Sequence, residues 1–145
     1  LVGDVASEAL QQLLRQHAIQ DRVRIIGRLD HLQLAEVLRT ADVFVLPSHQ
    51  EGLCIAALEA MACGCPVIST RCGGPEEFVL DAETGYLVDF DPAMLAAAVA
   101  KVVQDRALRH RLGQNAMRRV QAHYSERYAS ELFLAEFLSY QEQTT

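Results

Sequence analysis

The chain has 145 residues, a formal net charge of −6 and an apolar content of 50%. This length fits about one domain, and the apolar fraction is sufficient for a buried core. The acidic balance argues against nucleic acid as a general partner. No apolar run approaches the roughly 20 residues that a membrane-spanning helix needs.

The start of the chain and its cysteines bear on its cellular location. Residues 1–4, LVGD, have neither the charged start of a signal peptide nor an initiator methionine. We therefore expect the chain to be part of a longer protein that is cytoplasmic. The cysteines lack the C-x2-C spacing of zinc sites and are expected to be reduced thiols. They are Cys54, Cys63, Cys65 and Cys72.

The first forty residues predict two helices and two short extended segments. Apolar residues recur with helical spacing over residues 5–17 and again over residues 32–39. Residues 1–3 have the composition of a strand end. Residues 23–26 form an apolar run that predicts a strand, which Gly27 would close.

Residues 43–69 predict a strand, a polar loop, a helix and a second strand. The apolar run 43–46 ends at Pro47, and residues 54–63 are rich in helix-forming Ala, Leu, Glu and Met. Gly64 is suited to a left-handed helix cap, and residues 66–69 predict the next buried strand. Two apolar strands that flank one helix favour a βαβ unit with parallel strands.

The remainder continues the alternation of helices and strands. We predict a short helix at 75–79, a strand at 86–88, and helices at 92–103, 108–122 and 126–140. The predicted fold is therefore α/β, a Rossmann-like three-layer sandwich with a mostly parallel sheet. The sequence divides into an α/β domain of residues 1–122 and a C-terminal helix within residues 123–145.

Two acidic residues, Glu51 and Glu59, stand out in the central unit. Seven residues separate them, and Glu51 precedes the predicted helix that contains Glu59. Their backbones would be roughly 8–12 Å apart along the helix axis. This separation suits two acids that hold different parts of one elongated ligand. Between them, the helix N-terminus offers free N–H groups to a phosphate, so a nucleotide-sugar would fit.

These residues belong to a wider pattern. P-S-x-x-E-G at 47–52 is followed by L-E-A-M-A-C-G-x-P-V-I at 58–68, and G-G-P-E-E-F-V and T-G-Y-L-V come later in the chain. The pattern resembles the retaining, GT-B-fold glycosyltransferases of the family 4 type (glycosyl transferases group 1), whose hallmark is E-x7-E. The resemblance covers nearly the whole chain and implies the C-terminal, donor-binding half of a GT-B enzyme. It implies sugar transfer from a nucleotide-diphosphate sugar, in carbohydrate biosynthesis.

The resemblance also assigns roles to residues of this chain. It implies that Glu51 is catalytic and contacts the donor sugar, and that Glu59 binds the donor ribose. Backbone groups of the four residues after Glu51 would meet the sugar and diphosphate; these are Gly52, Leu53, Cys54 and Ile55. No metal or other cofactor is implied. A membrane surface is a candidate partner of the full-length protein, at the inner face of the membrane.

This chain departs from the family pattern in two ways. Where the family often has E-G-F-G, the chain has Cys54 in place of the second glycine. The acceptor-binding N-terminal domain and the first donor-domain strand, with its basic residues, are not in this sequence. We therefore expect this chain to be inactive by itself, and its final helix to fold toward the missing domain. The base, the sugar and the acceptor are left open.

Other classes of protein and one further motif, D-x-D, offer alternative interpretations of the chain. A dinucleotide oxidoreductase lacks support because no G-x-G-x-x-G follows a strand. A non-catalytic nucleotide-sugar-binding module and a GT-B-fold sugar-nucleotide epimerase stay open as alternatives. The D-x-D triplet at 89–91 suggests a metal site in other glycosyltransferases. Here Pro92 follows it, so we predict that Asp91 caps the next helix.

Overall fold

The computed structural model describes residues 1–3 and 7–143, with side chains through residue 134. The described chain falls into two compact units, Leu1–Val37 and the residues from Leu38 onward. The division of the sequence at residue 122 stays a prediction. Val5, the first apolar residue of the first predicted helix, lies outside the described residues.

The first unit is built around two helices. α1 spans Glu8–Gln16, and the Ser7 hydroxyl caps it by accepting a 3.3 Å hydrogen bond from the Leu10 amide. A short 3₁₀ helix follows at Gln20–Arg22, and α2 spans His31–Thr40, into the second unit. α2 confirms the helix predicted at 32–39.

The predicted strand at 23–26 is wrong. Residues 23–26 form no ladder, and the pairing beside them is a single parallel bridge between Val2 and Gly27. The Ile26 amide donates to the Leu1 carbonyl at 2.9 Å, and the Gly3 amide donates to the Gly27 carbonyl at 2.9 Å. Gly3 and Gly27 then have φ values of +128° and +83°, which bend both segments out of extended geometry directly after the bridge.

The second unit contains a three-stranded parallel sheet in the order β1-β2-β3. β1 is Phe44–Leu46, β2 is Val67–Thr70 and β3 is Gly85–Val88. Phe44 pairs with Val67, and Val67 pairs with Gly85. All four residues of β2 are buried, as expected for the central strand of a parallel sheet. The α/β class and the parallel pairing of the strands are confirmed.

Within the residues that the structure describes, five helices accompany the sheet. They are α3 (Ile55–Ala62), α4 (Pro75–Phe78), α5 (Pro92–Gln104), α6 (Arg106–His123) and α7 (Glu126–Gln143). α3 ends at Ala62, and Gly64 shortly after it has a φ of +77°, which confirms the predicted left-handed cap. Ile68 of β2, Val102 of α5 and Leu112 of α6 are fully buried together and form the centre of the core.

Candidate functional site

The predicted site residues lie in or beside the loops that follow parallel strands. We call these the carboxyl-edge loops: residues 47–54 after β1, 71–74 after β2 and 89–91 after β3. The carboxyl ends of parallel strands meet at one edge of a sheet, which is where α/β folds bind ligands. The first two loops are joined by a parallel bridge between Glu51 and Gly73. Glu51 therefore belongs to a structured edge rather than to a loose loop.

Glu51 is half-buried and is held through its backbone and its side chain. Its amide donates to the Cys72 carbonyl at 2.7 Å, and its carbonyl accepts from the Gly74 amide at 3.2 Å. The Ser48 hydroxyl donates to Glu51 Oε1 at 2.8 Å. Within the described part of the chain, Oε2 has no hydrogen-bond partner, so it is open to a ligand.

Thr70 supports this arrangement from the end of β2. Its hydroxyl lies within hydrogen-bonding distance of the Ser48 carbonyl and lies 3.4 Å from the Leu46 carbonyl. Thr70 itself is buried, with 2% of its surface exposed. The loop that carries Glu51 is therefore anchored to the central strand through Ser48, whose hydroxyl also donates to Glu51.

The Gly73-Gly74 pair allows the first two loops to approach each other. A Cβ atom on Gly74 would lie 1.4 Å from the Gly52 carbonyl oxygen, and one on Gly73 would lie 2.9 Å from the Glu51 carbonyl oxygen. Gly73 also has a φ of +103°. What closely approaches these glycines is the loop that contains Glu51.

Cys54 is the N-cap residue of α3 and has a left-handed conformation, with φ +52° and ψ +70°. Residues other than glycine rarely adopt this conformation, so the backbone here has the shape that a glycine would favour. Burial raises the pKa of the Cys54 thiol, and the nearby carboxylate of Glu51 acts in the same direction, against a backbone hydrogen bond from Ala57. The neutral thiol is therefore favoured.

The start of α3 faces solvent beside Glu51. Leu53 and Ile55 are exposed, by 49% and 66% respectively. The first amides of a helix have no intrahelical partner, so those at the start of α3 can donate to an anion. Glu59 lies further along the same helix and is half-buried. The two acids of the E-x7-E pattern thus lie on either side of the helix N-terminus along the chain.

Aromatic stacking joins the first and third carboxyl-edge loops. The rings of His49 and Phe90 have centroids 3.6 Å apart and an interplanar angle of 28°. Phe90 also lines an apolar recess of about 160 Å³ beside Pro47 and Thr70. His49 therefore packs on a neighbouring loop while it stays exposed to solvent.

The D-x-D triplet takes part in helix capping. Asp91 Oδ1 accepts a 2.7 Å hydrogen bond from the Ala93 amide, and Pro92 occupies the first turn of α5. The predicted cap is confirmed. Among the described residues, no three His, Cys, Asp or Glu side chains are grouped closely enough to hold a metal ion.

Sequence reasoning gave no role to Ser48, Thr70 or Arg71. Ser48 lies three residues before Glu51, a spacing at which a serine hydroxyl can reach a neighbouring side chain. Thr70 had no local signal, because its partner carbonyl at Ser48 is 22 residues away. Arg71 could have been noticed as the basic residue of the three carboxyl-edge loops.

Comparison with known proteins decides the family. A family model described as "Glycosyl transferases group 1" matches residues 1–119. The chain belongs to this family. The matched residues make up most of the chain and include both glutamates and all three carboxyl-edge loops.

Relatives of this group 1 domain are longer proteins. The glycogen synthase of Mycobacterium tuberculosis (strain CDC 1551 / Oshkosh) is 38% identical over 122 residues, which cover 80% of this chain and 30% of that protein. The D-inositol 3-phosphate glycosyltransferase of Thermomonospora curvata is 39% identical over 117 residues, which cover 80% of this chain and 27% of that protein. This chain therefore spans less than a third of the length of either relative.

A solved structure agrees with the fold of the group 1 domain. Sucrose-phosphate synthase (tll1590) from Thermosynechococcus elongatus is similar with a TM-score of 0.87 and 34% identity, over 100% of this chain and 38% of that chain. In the part of the chain that the structure describes, every helix is too short or too polar to cross a lipid bilayer.

Proposed function

We propose that this chain is the donor-binding part of a retaining glycosyltransferase, which transfers a sugar from a nucleotide-diphosphate sugar to an acceptor. The observation that carries the proposal is the placement of Glu51 and Glu59 on either side of the N-terminus of α3, in a group 1 domain. Three similar proteins support the general reaction by their names. They are a glycogen synthase, a D-inositol 3-phosphate glycosyltransferase and a sucrose-phosphate synthase. Their different names leave the acceptor unassigned.

Glu51 is the proposed catalytic residue, and it orients the donor sugar. Ser48 occupies Oε1 and fixes the carboxylate, which leaves Oε2 for the sugar hydroxyls. A carboxylate that is already fixed loses little freedom when the sugar binds, so more of its interaction energy is available to position the reacting carbon. The negative charge also favours the positive charge that develops on the sugar as the diphosphate leaves.

The N-terminus of α3 is the proposed diphosphate site. Backbone amides over Gly52 to Ile55 and the positive end of the helix dipole would stabilise the negative charge of the departing diphosphate. Glu59, further along α3, would accept hydrogen bonds from the ribose hydroxyls. No metal ion is required in this scheme, since the helix end supplies the electrostatic stabilisation.

The rest of the scheme concerns the full-length protein. We propose that its N-terminal domain binds the acceptor, so the chain described here binds the donor and transfers no sugar by itself. The proposed location of the full-length protein is the cytoplasm, where the inner membrane surface is a candidate partner. Nucleic acid is not among its proposed partners. Turnover by residues 1–145 alone would contradict the division of labour between the two domains.

Binding of nucleotides tests the donor site directly. The full-length protein would be titrated with UDP, GDP and ADP by calorimetry, for the wild type, Glu59→Gln and the control Glu83→Gln. Glu83 is exposed and lies away from the carboxyl-edge loops. One nucleotide should bind best, and Glu59→Gln should weaken it about tenfold, as expected for loss of charged hydrogen bonds to the ribose.

Two results would count against the proposal. If the wild type binds none of the three nucleotides, the donor site is wrong. If it binds a nucleotide-sugar and never transfers or epimerises the sugar in the presence of cell extract, a non-catalytic binding module replaces the transferase. Product analysis by mass spectrometry and NMR distinguishes sugar transfer from epimerisation of the nucleotide-sugar.

A further inference from the structure

Arg71 is the single Lys or Arg of the three carboxyl-edge loops. The sequences of these loops are PSHQEGLC, RCGG and DFD. Three acids accompany it in the same loops, Glu51, Asp89 and Asp91, and the chain as a whole has a net charge of −6. One guanidinium group therefore lies at an edge whose other charged residues are acidic.

Arg71 is positioned by two acids without being hydrogen-bonded by either. Its Nε atom is 3.7 Å from Asp89 Oδ1, and its Nη1 atom is 3.8 Å from Glu76 Oε2. Both distances exceed those of hydrogen bonds, for which the usual range is about 2.7–3.2 Å. Its side chain is 47% exposed. The acids therefore hold the guanidinium at this edge while its N–H groups stay accessible to another partner.

Glu76 links Arg71 to the loop that holds Glu51. Its second oxygen, Oε1, accepts a 3.1 Å hydrogen bond from the Gly73 amide, and Gly73 is the residue bridged to Glu51. Arg71 also directly precedes Cys72, whose carbonyl accepts from the Glu51 amide. The ion pair with Asp89, which follows β3, places the guanidinium on the β3 side of Glu51. The start of α3 follows β1, on the other side of the sheet order.

We propose that Arg71 binds an anionic group, a phosphate or a carboxylate, at the sugar-bearing end of the site that contains Glu51. This inference rests on the proposed function and adds a chemical class to its substrates. A bidentate anion would replace two long ion pairs by short, charge-assisted hydrogen bonds, for which a guanidinium is well suited. The anion belongs either to the transferred sugar or to the acceptor.

The test uses three sugars that differ in charge. Glucose, glucuronate and glucose 6-phosphate would be titrated into the full-length protein, saturated with whichever of UDP, GDP and ADP binds best. At least one anionic sugar should bind more tightly than glucose, and Arg71→Gln should weaken it about tenfold or more, as expected for hydrogen bonds to charged groups. Nucleotide affinity should change less than sugar affinity, because Arg71 lies toward β3 whereas the proposed diphosphate site follows β1. Competition with a nucleotide-sugar assigns the anion to the transferred sugar, and simultaneous binding assigns it to the acceptor.

Two further variants separate ligand binding from a structural role. Asp89→Asn removes a competing carboxylate and keeps Arg71, so the anionic sugar should bind at least as tightly as to the wild type. If Arg71 only ties the loops together, Asp89→Asn and Arg71→Gln should weaken binding alike. Arg118→Gln, on the exposed side of α6, makes the same change of charge away from the site and should have no effect.

Each outcome decides the inference. Equal binding of glucose and both anionic sugars overturns it, as does unchanged binding in Arg71→Gln or parallel losses in Asp89→Asn. A protein that binds a nucleotide without any dependence of sugar binding on Arg71 refutes this inference and leaves the proposed function standing. A protein that binds no nucleotide, but binds an anionic sugar through Arg71, refutes the proposed function alone.

Discussion

The Ser48 hydroxyl donates a 2.8 Å hydrogen bond to Glu51 Oε1, and the Ser48 carbonyl in turn accepts from the Thr70 hydroxyl. A single residue therefore connects the proposed catalytic carboxylate to the end of the central strand. The orientation of Glu51 depends on a side chain three residues before it and on another that is distant in the sequence.

Ser48→Ala should reduce kcat/KM of the full-length enzyme about tenfold, because a hydrogen bond to a charged group contributes roughly 1.5–3 kcal/mol. The fold is expected to be retained, since the Thr70 hydroxyl bonds to the Ser48 backbone. Steady-state kinetics and thermal unfolding measure the two effects separately. Ser130→Ala, an exposed serine of α7, serves as the control. Wild-type kinetics in Ser48→Ala would show that the hydroxyl does not hold Glu51.

Gly74→Ala should destabilise the second unit and displace the loop of Glu51. The added Cβ would lie 1.4 Å from the Gly52 carbonyl oxygen, which is backbone and can give way only if the loop moves. Forced overpacking of this kind costs about 1–3 kcal/mol. The free energy of unfolding from urea denaturation measures the effect. Gly52→Ala is the matched variant, since its Cβ would meet nothing within 4 Å, and its stability should equal that of the wild type.

Cys54→Gly should stabilise the protein. The left-handed backbone at φ +52° costs an L-residue roughly 1–2 kcal/mol, and glycine removes that penalty, with a smaller loss from its greater freedom when unfolded. We expect a net gain of about 0.5–1 kcal/mol by urea denaturation. Cys54→Ala removes the thiol and keeps the restriction on φ, so it should give no such gain. Equal stabilities of the Gly and Ala variants would show that the conformation is not strained.

Cys65 should make stability depend on pH under alkaline conditions. It is 1% exposed, and burial raises the pKa of its thiol from 9.0 to about 12. Because the folded state holds this proton more tightly, its contribution is complete below pH 9 and is lost as the pH rises from 9 toward 12. The free energy of unfolding should fall by about 1 kcal/mol more between pH 8.5 and 10 in the wild type than in Cys65→Ala.

A control variant tests the assignment to Cys65. Cys63→Ala removes a half-buried thiol two residues away and keeps the burial that mainly raises the Cys65 pKa, so most of the pH dependence should persist. A wild-type pH profile in Cys65→Ala would assign the effect to other groups.

Sequence reasoning located the elements of the second unit within one to three residues. Strong local signals mark them: Pro47 after β1, Gly64 after α3 and the Asp91-Pro92 start of α5. The strand predicted at 23–26 is wrong because an apolar composition does not indicate whether a neighbouring segment can pair with it over more than one residue. The positive φ angles at Gly3 and Gly27 end that pairing.

The site was predictable only in part, for the same physical reason. Glu51 and Glu59 lie on one element and its preceding loop, so their spacing places them. The contacts of Ser48 with Thr70, and of Gly52 with Gly74, join segments that are 22 residues apart. Such contacts depend on the register between β1 and β2, which no local pattern specifies.

The interlocking of residues 47–54 with 70–75 has a consequence for engineering chimaeras within the family. The first segment is hydrogen-bonded to Thr70 and lies in close backbone contact with Gly74, so its shape depends on both segments. Transplanting the Glu51 loop from a relative would bring a backbone shaped for foreign neighbours. The unit of exchange is the two segments together, and specificity swaps should be designed with both taken from one parent.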